Sequence, residues 1–271
     1  PLTEERIETD STYDAGTTTQ LMWGARSDVG CVRPHNEDSY LVQSPLFCVC
    51  DGMGGHAAGE VASSIAVETI AKTAPQSADA ARLAAAVEAA NAAVIEAALN
   101  GLGKPGMGCT ATCAYIENDT LAIAHVGDSR AYLLHEGTLI RVTRDHSYVE
   151  ELVDAGEITA DEARVHPNRS VITRALGSDP AMYADHFTLH IEEGDRLILC
   201  SDGLSSMIPD SDIENIATQS STAQICVDNL VDAALAAGGH DNVTVVVVDL
   251  VDDGVMREAQ RVRRRNVTIG V

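Results

Sequence analysis

The chain has 271 residues, of which 45% are apolar and 22% charged, a composition typical of a water-soluble globular protein. This composition excludes collagen-like, low-complexity and largely disordered chains. The 41 acidic and 18 basic side chains give a formal net charge of −23, which repels nucleic-acid phosphates. No stretch approaches 18 consecutive apolar residues, and the given sequence does not open on the basic-then-apolar pattern of a signal peptide. We therefore expect neither a membrane span nor a nucleic-acid partner.

Seven cysteines are an odd number, and none forms a C-x-x-C pair or stands at zinc-finger spacing from histidine. Five lie in apolar, strand-like runs, where a free thiol acts as a small apolar side chain: Cys48, Cys50, Cys109, Cys113 and Cys200. We therefore expect free thiols, a reducing compartment such as the cytoplasm, and neither structural zinc nor a disulfide scaffold.

Residues 1–20 are rich in Thr, Glu, Asp and Ser without an apolar period, which predicts a loose lead-in. From Leu21 onward, short apolar runs predict strands near 41–42, 46–50, 112–116, 121–126, 131–134, 139–142, 197–200 and 243–250. The dipeptide Asn118-Asp119 between two such runs predicts a hairpin turn and thus an antiparallel pair. Helices are predicted over 57–71 and 78–99, where apolar residues recur at three- and four-residue spacing.

Further helices are predicted where a hydroxyl residue stands three positions before an acid or amide, the spacing of a capping box. These pairs are Ser147 with Glu150, Thr159 with Glu162, Ser211 with Glu214, and Ser221 with Gln224. The last helix is expected to stop at Gly238-Gly239. The order of elements predicts an α+β fold in which an antiparallel double sheet carries helices on its outer faces.

We expect one domain over 21–252, followed by an Arg-rich tail over 253–271. The tail is expected to be a solvated terminal run. If more chain follows it, contact with an acidic surface or with lipid headgroups is the alternative.

Four segments are interpreted as apolar strands that each end in an aspartate beside a small or polar residue. These segments carry Asp51-Gly52, Asp128-Ser129, Asp202-Gly203 and Asp241-Asn242. One such aspartate is usually a turn residue. Four neighbouring strand ends, however, gather four carboxylates, whose mutual repulsion is tolerable only with cations between them. The acidic pair Glu37-Asp38, just before another predicted strand, adds to this set.

Ligands that are all oxygen atoms favour magnesium or manganese over zinc or copper, and the spacing of a calcium-binding loop is absent. Two such ions sharing a carboxylate acidify a water and clamp phosphoryl oxygens, so phosphoester hydrolysis is the predicted chemistry. Arg33 offers a planar fork for two phosphate oxygens, with a surface salt bridge as the alternative. Glycines 52, 54, 55 and 59 would let the backbone approach a metal or phosphate closely. They match neither the Walker nor the dinucleotide pattern, so nucleotide binding has no support.

Seven motifs stand in the order found in the metal-dependent protein serine/threonine phosphatases, the PPM or protein phosphatase 2C family, which the chain resembles over about 21–250. The motifs are Arg33-Pro34-His35-Asn36-Glu37-Asp38, Asp51-Gly52-Met53-Gly54-Gly55, Gly108-Cys109-Thr110-Ala111-Thr112, Val126-Gly127-Asp128-Ser129-Arg130, Asp145-His146-Ser147, Ser201-Asp202-Gly203 and Asp241-Asn242-Val243-Thr244. Together they are far more specific than any one of them.

The resemblance implies a four-layer α-β-β-α sandwich of two antiparallel sheets flanked by helix pairs, with a two-metal site that uses Mn²⁺ or Mg²⁺. It implies that Asp51 bridges the two ions and that Gly52 contributes its backbone carbonyl. The other metal ligands that it implies are Asp202 and Asp241 on one ion, and Glu37 and Asp38, largely through waters, on the other.

The resemblance also assigns parts around the metals. Arg33 is implied to hold the substrate phosphate, and Asp128, sharing Asp202, to bind a third and weaker ion. Residues 145–179 resemble the flap that lies beside the active site in bacterial members.

Two positions depart from the pattern of other members. Met53 stands where members from higher organisms carry a histidine that resembles a general acid, and a thioether cannot deliver a proton. His56 is close to Met53 in the sequence, but the sequence does not determine where the His56 side chain lies. Ser206 stands where some members use an acid for the third ion, which weakens that site.

The implied activity is hydrolysis of phosphoserine and phosphothreonine in proteins, which reverses a serine/threonine kinase in signal transduction. The implied partners are phosphorylated proteins, including a kinase. A catalytically silent binding module is the first alternative, although none of the carboxylates Asp51, Asp202 and Asp241 is missing. A hydrolase of small phosphoesters is the second.

Overall fold

The structure is a computed structural model that describes residues 11–17, 20–55 and 58–252. Within these ranges the chain forms twelve strands and seven helices. The strands are β1 Ser11–Thr17, β2 Leu21–Asp28, β3 Asp38–Gln43, β4 Leu46–Met53, β5 Gly108–Cys109, β6 Ala111–Glu117, β7 Thr120–Val126, β8 Arg130–His135, β9 Thr138–Arg141, β10 Asp185–His190, β11 Arg196–Cys200 and β12 Val243–Leu250. The helices are α1 Ala58–Thr73, α2 Ala80–Leu99, α3 Tyr148–Asp154, α4 Ala160–Val165, α5 Asp202–Ser205, α6 Asp210–Gln219 and α7 Ala223–Ala236.

The strands form two antiparallel sheets. One has the order β1-β2-β12-β11-β8-β9. The other has the order β10-β7-β6-β4-β3, with β5 paired to β4. The one predicted hairpin is present: β6 pairs with β7 across Asn118, whose φ of 53° suits a tight turn.

Three apolar clusters hold four layers together. Phe47, Ile123 and Val246 represent the cluster between the two sheets. A second cluster packs strands β4, β6 and β7 against the helix pair α1 and α2. A third packs strands β8, β11 and β12 against the helix pair α6 and α7. A strand buried on both faces of a sandwich shows a continuous apolar run, as Val245, Val246, Val247 and Val248 of β12 do. The predicted α-β-β-α sandwich is therefore confirmed.

The amino-terminal lead-in differs from the prediction. Ser11–Thr17 is a strand that pairs with β2, from Ser11 opposite Asp28 to Thr17 opposite Met22. Most side chains of this edge strand are exposed, so it shows no apolar period. Besides the main-chain pairing, Arg26 of β2 donates to the Ser11 hydroxyl at 3.3 Å and lies over the Tyr13 ring at 5.2 Å. The predicted boundaries of the domain and flap stay predictions, and the tail 253–271 lies outside the described residues.

Two of the four predicted helix caps are present. Ser147 accepts a hydrogen bond from the Glu150 N–H at 3.3 Å, and Thr159 with Glu162 forms a full capping box. The other two predictions were wrong. Helix α6 follows Pro209, with Ser211 inside it, and α7 is capped by Thr222, one residue after the predicted Ser221.

The cysteines give one correction. Cys48 and Cys113 face each other in register on β4 and β6, with Cα atoms 4.3 Å apart, and form a disulfide. The expectation of free thiols is therefore wrong for this pair, because their opposition across two strands is not visible in the sequence. Cys50, Cys109 and Cys200 are free and buried, as predicted. Burial raises the pKa of the Cys200 thiol to about 12, so it stays neutral.

No helix among the described residues is long and apolar enough to cross a bilayer.

Candidate active site

The predicted acids gather at one end of the two sheets. Asp51 lies near the end of β4, Asp128 follows β7, Asp202 begins α5 directly after β11, and Asp241 stands two residues before β12. All four line a cavity of about 430 Å³. The cavity is also lined by Arg33, Glu37, Gly52 and Met53, and by Ser170 and Ile172 of the predicted flap. The structure therefore brings the predicted residues of four distant segments to one place.

Three of these carboxylates are closely spaced. Asp51, Asp128 and Asp202 each offer an oxygen, and these oxygens all lie within 4.8 Å of one another. Burial raises the pKa of Asp51 well above its ordinary value, and the charges of Asp38 and Asp202 raise it further. Burial, followed by the charge of Asp202, likewise raises the pKa of Asp128. Without a cation, three negative charges at this spacing are unfavourable.

Asp38 and Asp241 complete the acidic set. Asp38 is buried and faces Asp51 across the β3–β4 pair, although it does not line the cavity. Burial raises the pKa of Asp38 to about 7, although a hydrogen bond from Thr244 acts in the opposite direction. Burial and then Asp202 raise the pKa of Asp241 to about 6, with Arg33 acting in the opposite direction.

Several of these carboxylate oxygens have no hydrogen-bond donor. Within the described part of the chain, Oδ1 of Asp38, Asp128 and Asp202 is buried and has no hydrogen-bond partner. A buried carboxylate oxygen without a donor is costly unless a cation binds it. The oxygen-only ligands and these three unpartnered atoms fit hard divalent cations such as Mn²⁺ or Mg²⁺.

A chain of hydroxyl groups fixes the orientation of Asp38. The Thr244 hydroxyl donates to Asp38 Oδ2 at 2.7 Å and, since its proton is used there, accepts from the Ser27 hydroxyl at 2.7 Å. Ser27 in turn accepts from Asn36 Nδ2 at 2.9 Å. This chain turns the other oxygen of Asp38, which has no donor, away from Thr244.

Asn242 holds the loop that carries Arg33 and Glu37. Its Oδ1 accepts the Glu37 N–H at 2.9 Å, and its Nδ2 donates to the carbonyls of Val29 at 2.8 Å and His35 at 2.9 Å. These three bonds tie the loop to the start of β12. The sequence motif includes Asn242 but predicted no role for it. The only sequence signal for this residue was its position next to Asp241.

Two glycines are required by close backbone contacts. A Cβ atom on Gly52 would lie 2.0 Å from the Gly59 carbonyl oxygen, and one on Gly203 would lie 1.9 Å from the Asn242 carbonyl oxygen. Gly52 therefore permits close packing against Gly59, and its approach to a metal or phosphate stays a prediction. Gly203 permits similarly close packing between α5 and the start of β12.

Arg33 stands at the mouth of the cavity with its side chain 57% exposed, and its Nε lies 3.5 Å from Asp241 Oδ1. Arg33 is therefore accessible to a ligand and is also paired with an acid. The geometry is compatible with both predicted roles of Arg33, a fork for phosphate oxygens and a surface salt bridge. Met53 lines the cavity, whereas His56 lies outside the described residues. The Ser206 hydroxyl donates to the Asp202 carbonyl at 2.6 Å and so is used within α5.

Comparisons with known proteins agree with this geometry. The family model of protein phosphatase 2C matches residues 24–243. The chain is 43% identical over 244 residues to serine/threonine protein phosphatase PstP of Mycobacterium tuberculosis, covering 88% of this chain and 46% of that protein. It is 37% identical over 236 residues to serine/threonine phosphatase stp of Listeria welshimeri, covering 83% of this chain and 94% of that protein. The chain thus spans about half the length of the Mycobacterium relative and nearly all of the Listeria relative.

Solved structures give the same result. The crystal structure of Mycobacterium tuberculosis PstP superposes with a TM-score of 0.81 at 42% identity, covering 86% of this chain and 100% of that chain. The catalytic domain of PstP in complex with two manganese ions gives a TM-score of 0.80 at 40% identity, covering 87% of this chain and 100% of that chain. A match over most of the sequence, on a fold and a carboxylate cluster of the expected kind, shows that this chain belongs to the protein phosphatase 2C family.

Proposed function

We propose that the chain is a manganese- or magnesium-dependent protein serine/threonine phosphatase that hydrolyses phosphoserine and phosphothreonine in proteins, reversing a serine/threonine kinase. The observation that carries this proposal is the convergence of Asp51, Asp128 and Asp202, with buried oxygens that lack donors, in a cavity that Arg33 borders. The names of the relatives and the manganese complex of PstP support the same activity.

The chain's own residues have distinct roles in this proposal. Asp51, the Gly52 carbonyl, Asp202 and Asp241 would hold divalent ions directly, and Glu37 and Asp38 would hold them largely through waters. Asp128 and Asp202 would hold a third and weaker ion. When bound, the ions acidify a water and neutralise phosphoryl charge.

Arg33 binds the substrate phosphate through its planar guanidinium fork. Its exposure lets it meet a phosphate on a protein surface, and its pairing with Asp241 keeps it beside the acids while no phosphate is present. The thioether of Met53 has no proton to give, so we assign it no part in proton transfer.

Phosphorylated proteins, including a serine/threonine kinase, are the proposed partners. The net charge of −23 continues to argue against nucleic acid. A cytoplasmic location and a role in signal transduction stay predictions.

The test is release of phosphate from a phosphothreonine peptide and from p-nitrophenyl phosphate, each with Mn²⁺, with Mg²⁺ and with chelator. We expect metal-dependent release from the peptide. Release from p-nitrophenyl phosphate alone would favour the hydrolase of small phosphoesters. No release with either metal, from a protein that still binds Mn²⁺, would favour the silent binding module.

A further inference from the structure

His146 is buried at the start of the predicted flap, residues 145–179, and the function proposed above gives it no role. Its backbone N–H donates to the Gly127 carbonyl at 2.8 Å, and its carbonyl accepts the Thr173 N–H at 2.9 Å. One residue therefore joins the segment that carries Asp128 to residues 171–174, which we call the return arm of the flap.

The side chain of His146 also connects the segment that carries Asp128 to the return arm. Nδ1 accepts the Gly127 N–H at 2.9 Å, so it carries no proton, and the proton of the neutral ring is on Nε2. Nε2 donates to Asp185 Oδ2 at 2.8 Å, and the other oxygen of Asp185 accepts Arg174 Nη1 at 2.8 Å. The contacts thus fix the tautomer, with one nitrogen toward the Asp128 segment and the other toward the return arm.

A second histidine holds the ring from behind. His125 stacks on His146 with ring centroids 5.0 Å apart and an interplanar angle of 28°. Its Nε2 donates to the Arg144 carbonyl, and its Nδ1 accepts from the Thr112 hydroxyl, both at 2.9 Å. Burial lowers the pKa of His125 to about 4, so this ring is neutral and does not repel its neighbour.

The Gly127 end of the connection leads directly to a cavity carboxylate. Gly127 has a φ of 107°, and a Cβ atom there would lie 2.6 Å from the Thr110 side chain, so its backbone has little freedom to move. The next residue is Asp128, whose buried Oδ1 has no hydrogen-bond partner in the described part of the chain. The position of Gly127 therefore sets where this oxygen lies.

The other end leads to the cavity wall that the flap supplies. Ile172, which lines the cavity, forms a β-bridge with Ser147, and the Tyr148 N–H donates to the Val171 carbonyl at 3.0 Å. Arg174 stacks over the Tyr183 ring at 4.2 Å and pairs with Asp185. The return arm is thus held at the point where His146 meets Asp185.

We propose that His146 is a positioning residue whose two ring nitrogens have separable tasks. Nδ1 holds Gly127 so that Asp128 reaches its metal, and Nε2, through Asp185 and Arg174, holds the return arm against the cavity. This inference rests on the proposed function for the role of Asp128 as a metal ligand. A group of this kind, which orients a ligand from behind, changes metal affinity by about 10–100-fold when it is removed.

The test uses two substitutions that each preserve one task. His146→Asn keeps an acceptor oxygen near the position of Nδ1 but cannot reach Asp185, whereas His146→Gln reaches toward Asp185 and offers no acceptor to Gly127. His190→Gln, on a side chain that is 65% exposed, is the matched control. The readouts are Mn²⁺ affinity by calorimetric titration and the rate of tryptic cleavage after the exposed Arg169 of the flap, neither of which requires turnover.

We expect His146→Gln to weaken the Asp128-dependent Mn²⁺ affinity about ten-fold with little change in cleavage. We expect His146→Asn to accelerate cleavage and raise KM for a phosphothreonine peptide, with Mn²⁺ affinity near the wild-type value. In an Asp128→Asn background, His146→Gln is expected to cause no further loss of Mn²⁺ affinity.

Two outcomes would overturn the inference. One is no change in either readout from either variant. The other is an equal change in both readouts from both variants that persists in the Asp128→Asn background, which is the behaviour of a residue needed only for packing. If the wild-type protein releases no phosphate, the proposed function fails, while the titration and the cleavage rate still decide the role of His146.

Discussion

Asp51 is the side chain on which the proposed chemistry depends most. It faces Asp38 across β3 and β4, and its carboxylate is within 4.8 Å of those of Asp128 and Asp202. Its backbone is fixed from the other side, because the Asp51 N–H donates to the Thr110 hydroxyl at 3.0 Å and its carbonyl accepts the Thr110 N–H at 2.9 Å. Burial and the neighbouring carboxylates make the charge of Asp51 unfavourable in the metal-free protein.

Asp51→Asn is expected to reduce metal-dependent turnover by about 100-fold or more, because a shared metal ligand supplies several kcal/mol of transition-state stabilisation. The fold is expected to remain, since one repelling charge is removed from a crowded set. The measurements are kcat on a phosphothreonine peptide with Mn²⁺ and thermal unfolding with chelator. Asp119→Asn, at an exposed position in the β6–β7 turn, is the control, and a near wild-type kcat for Asp51→Asn would contradict the role.

Arg33→Ala is expected to raise KM for the phosphopeptide by about ten-fold and to lower kcat less, because a fork that holds phosphate in both ground and transition state contributes uniform binding. Arg33→Lys keeps the charge and loses the fork, so an intermediate KM is expected. Steady-state kinetics of the three proteins check this. An unchanged KM for Arg33→Ala would leave Arg33 as a surface partner of Asp241 only.

The helices show how local chemistry sets an element's start. Thr222 accepts the Ile225 N–H at 3.1 Å and caps α7, while Ser221, which satisfies the same sequence rule, makes no cap. Glu214, predicted to complete a capping box, instead accepts the Leu139 N–H of β9 at 2.9 Å. A side chain that hydrogen-bonds to another element cannot cap its own helix, so the positions of caps are predictable only to within a residue or two.

Thr222→Ala is expected to lower the free energy of unfolding by about 1 kcal/mol, the usual cost of removing a helix N-cap. Ser221→Ala, at the adjacent exposed position, is expected to change it by less than about 0.5 kcal/mol. Urea unfolding of the two variants and the wild type measures both values. Equal effects, or a larger effect at Ser221, would contradict the cap at Thr222.

At the scale of the whole molecule, the acid cluster opposes folding in the absence of metal. Burial raises the pKa of Asp38 to about 7 and that of Asp241 to about 6, so the folded protein keeps protons that the unfolded chain has released. Where the folded state binds more protons, stability falls as pH rises. The window for these two groups runs from about pH 4, the ordinary carboxyl value, to about pH 7.

The metal-free protein is therefore expected to lose stability from these groups between about pH 4 and pH 7, and Asp241→Asn is expected to flatten this slope. Mn²⁺ at a hundredfold excess over its Kd is expected to add about 3 kcal/mol at neutral pH and less in acid, since it binds deprotonated carboxylates. Unfolding free energies measured against pH, with chelator and with Mn²⁺, test this. A slope in Asp241→Asn equal to that of the wild type would contradict the assignment.

Taken by itself, the sequence predicted the chemistry and the order of elements. Local patterns predicted the strand ends at Asp51, Asp128 and Asp202, the antiparallel turn at Asn118 and the oxygen-only ligand set. Such patterns exist because a buried strand shows as a run or repeat of apolar residues and a tight turn shows as a characteristic dipeptide. The family follows from the motifs, and its match over residues 24–243 confirmed it.

Only the tertiary structure decided which distant atoms meet. The disulfide joins Cys48 and Cys113, which are 65 residues apart, and Asn242 holds the Glu37 loop across 205 residues. The edge strand Ser11–Thr17 and the contact of His146 with Gly127 likewise depend on partners that no local pattern names. The physical reason is that such contacts are set by strand register and by how the layers pack, whereas a sequence pattern reports only what a residue and its near neighbours bury or expose.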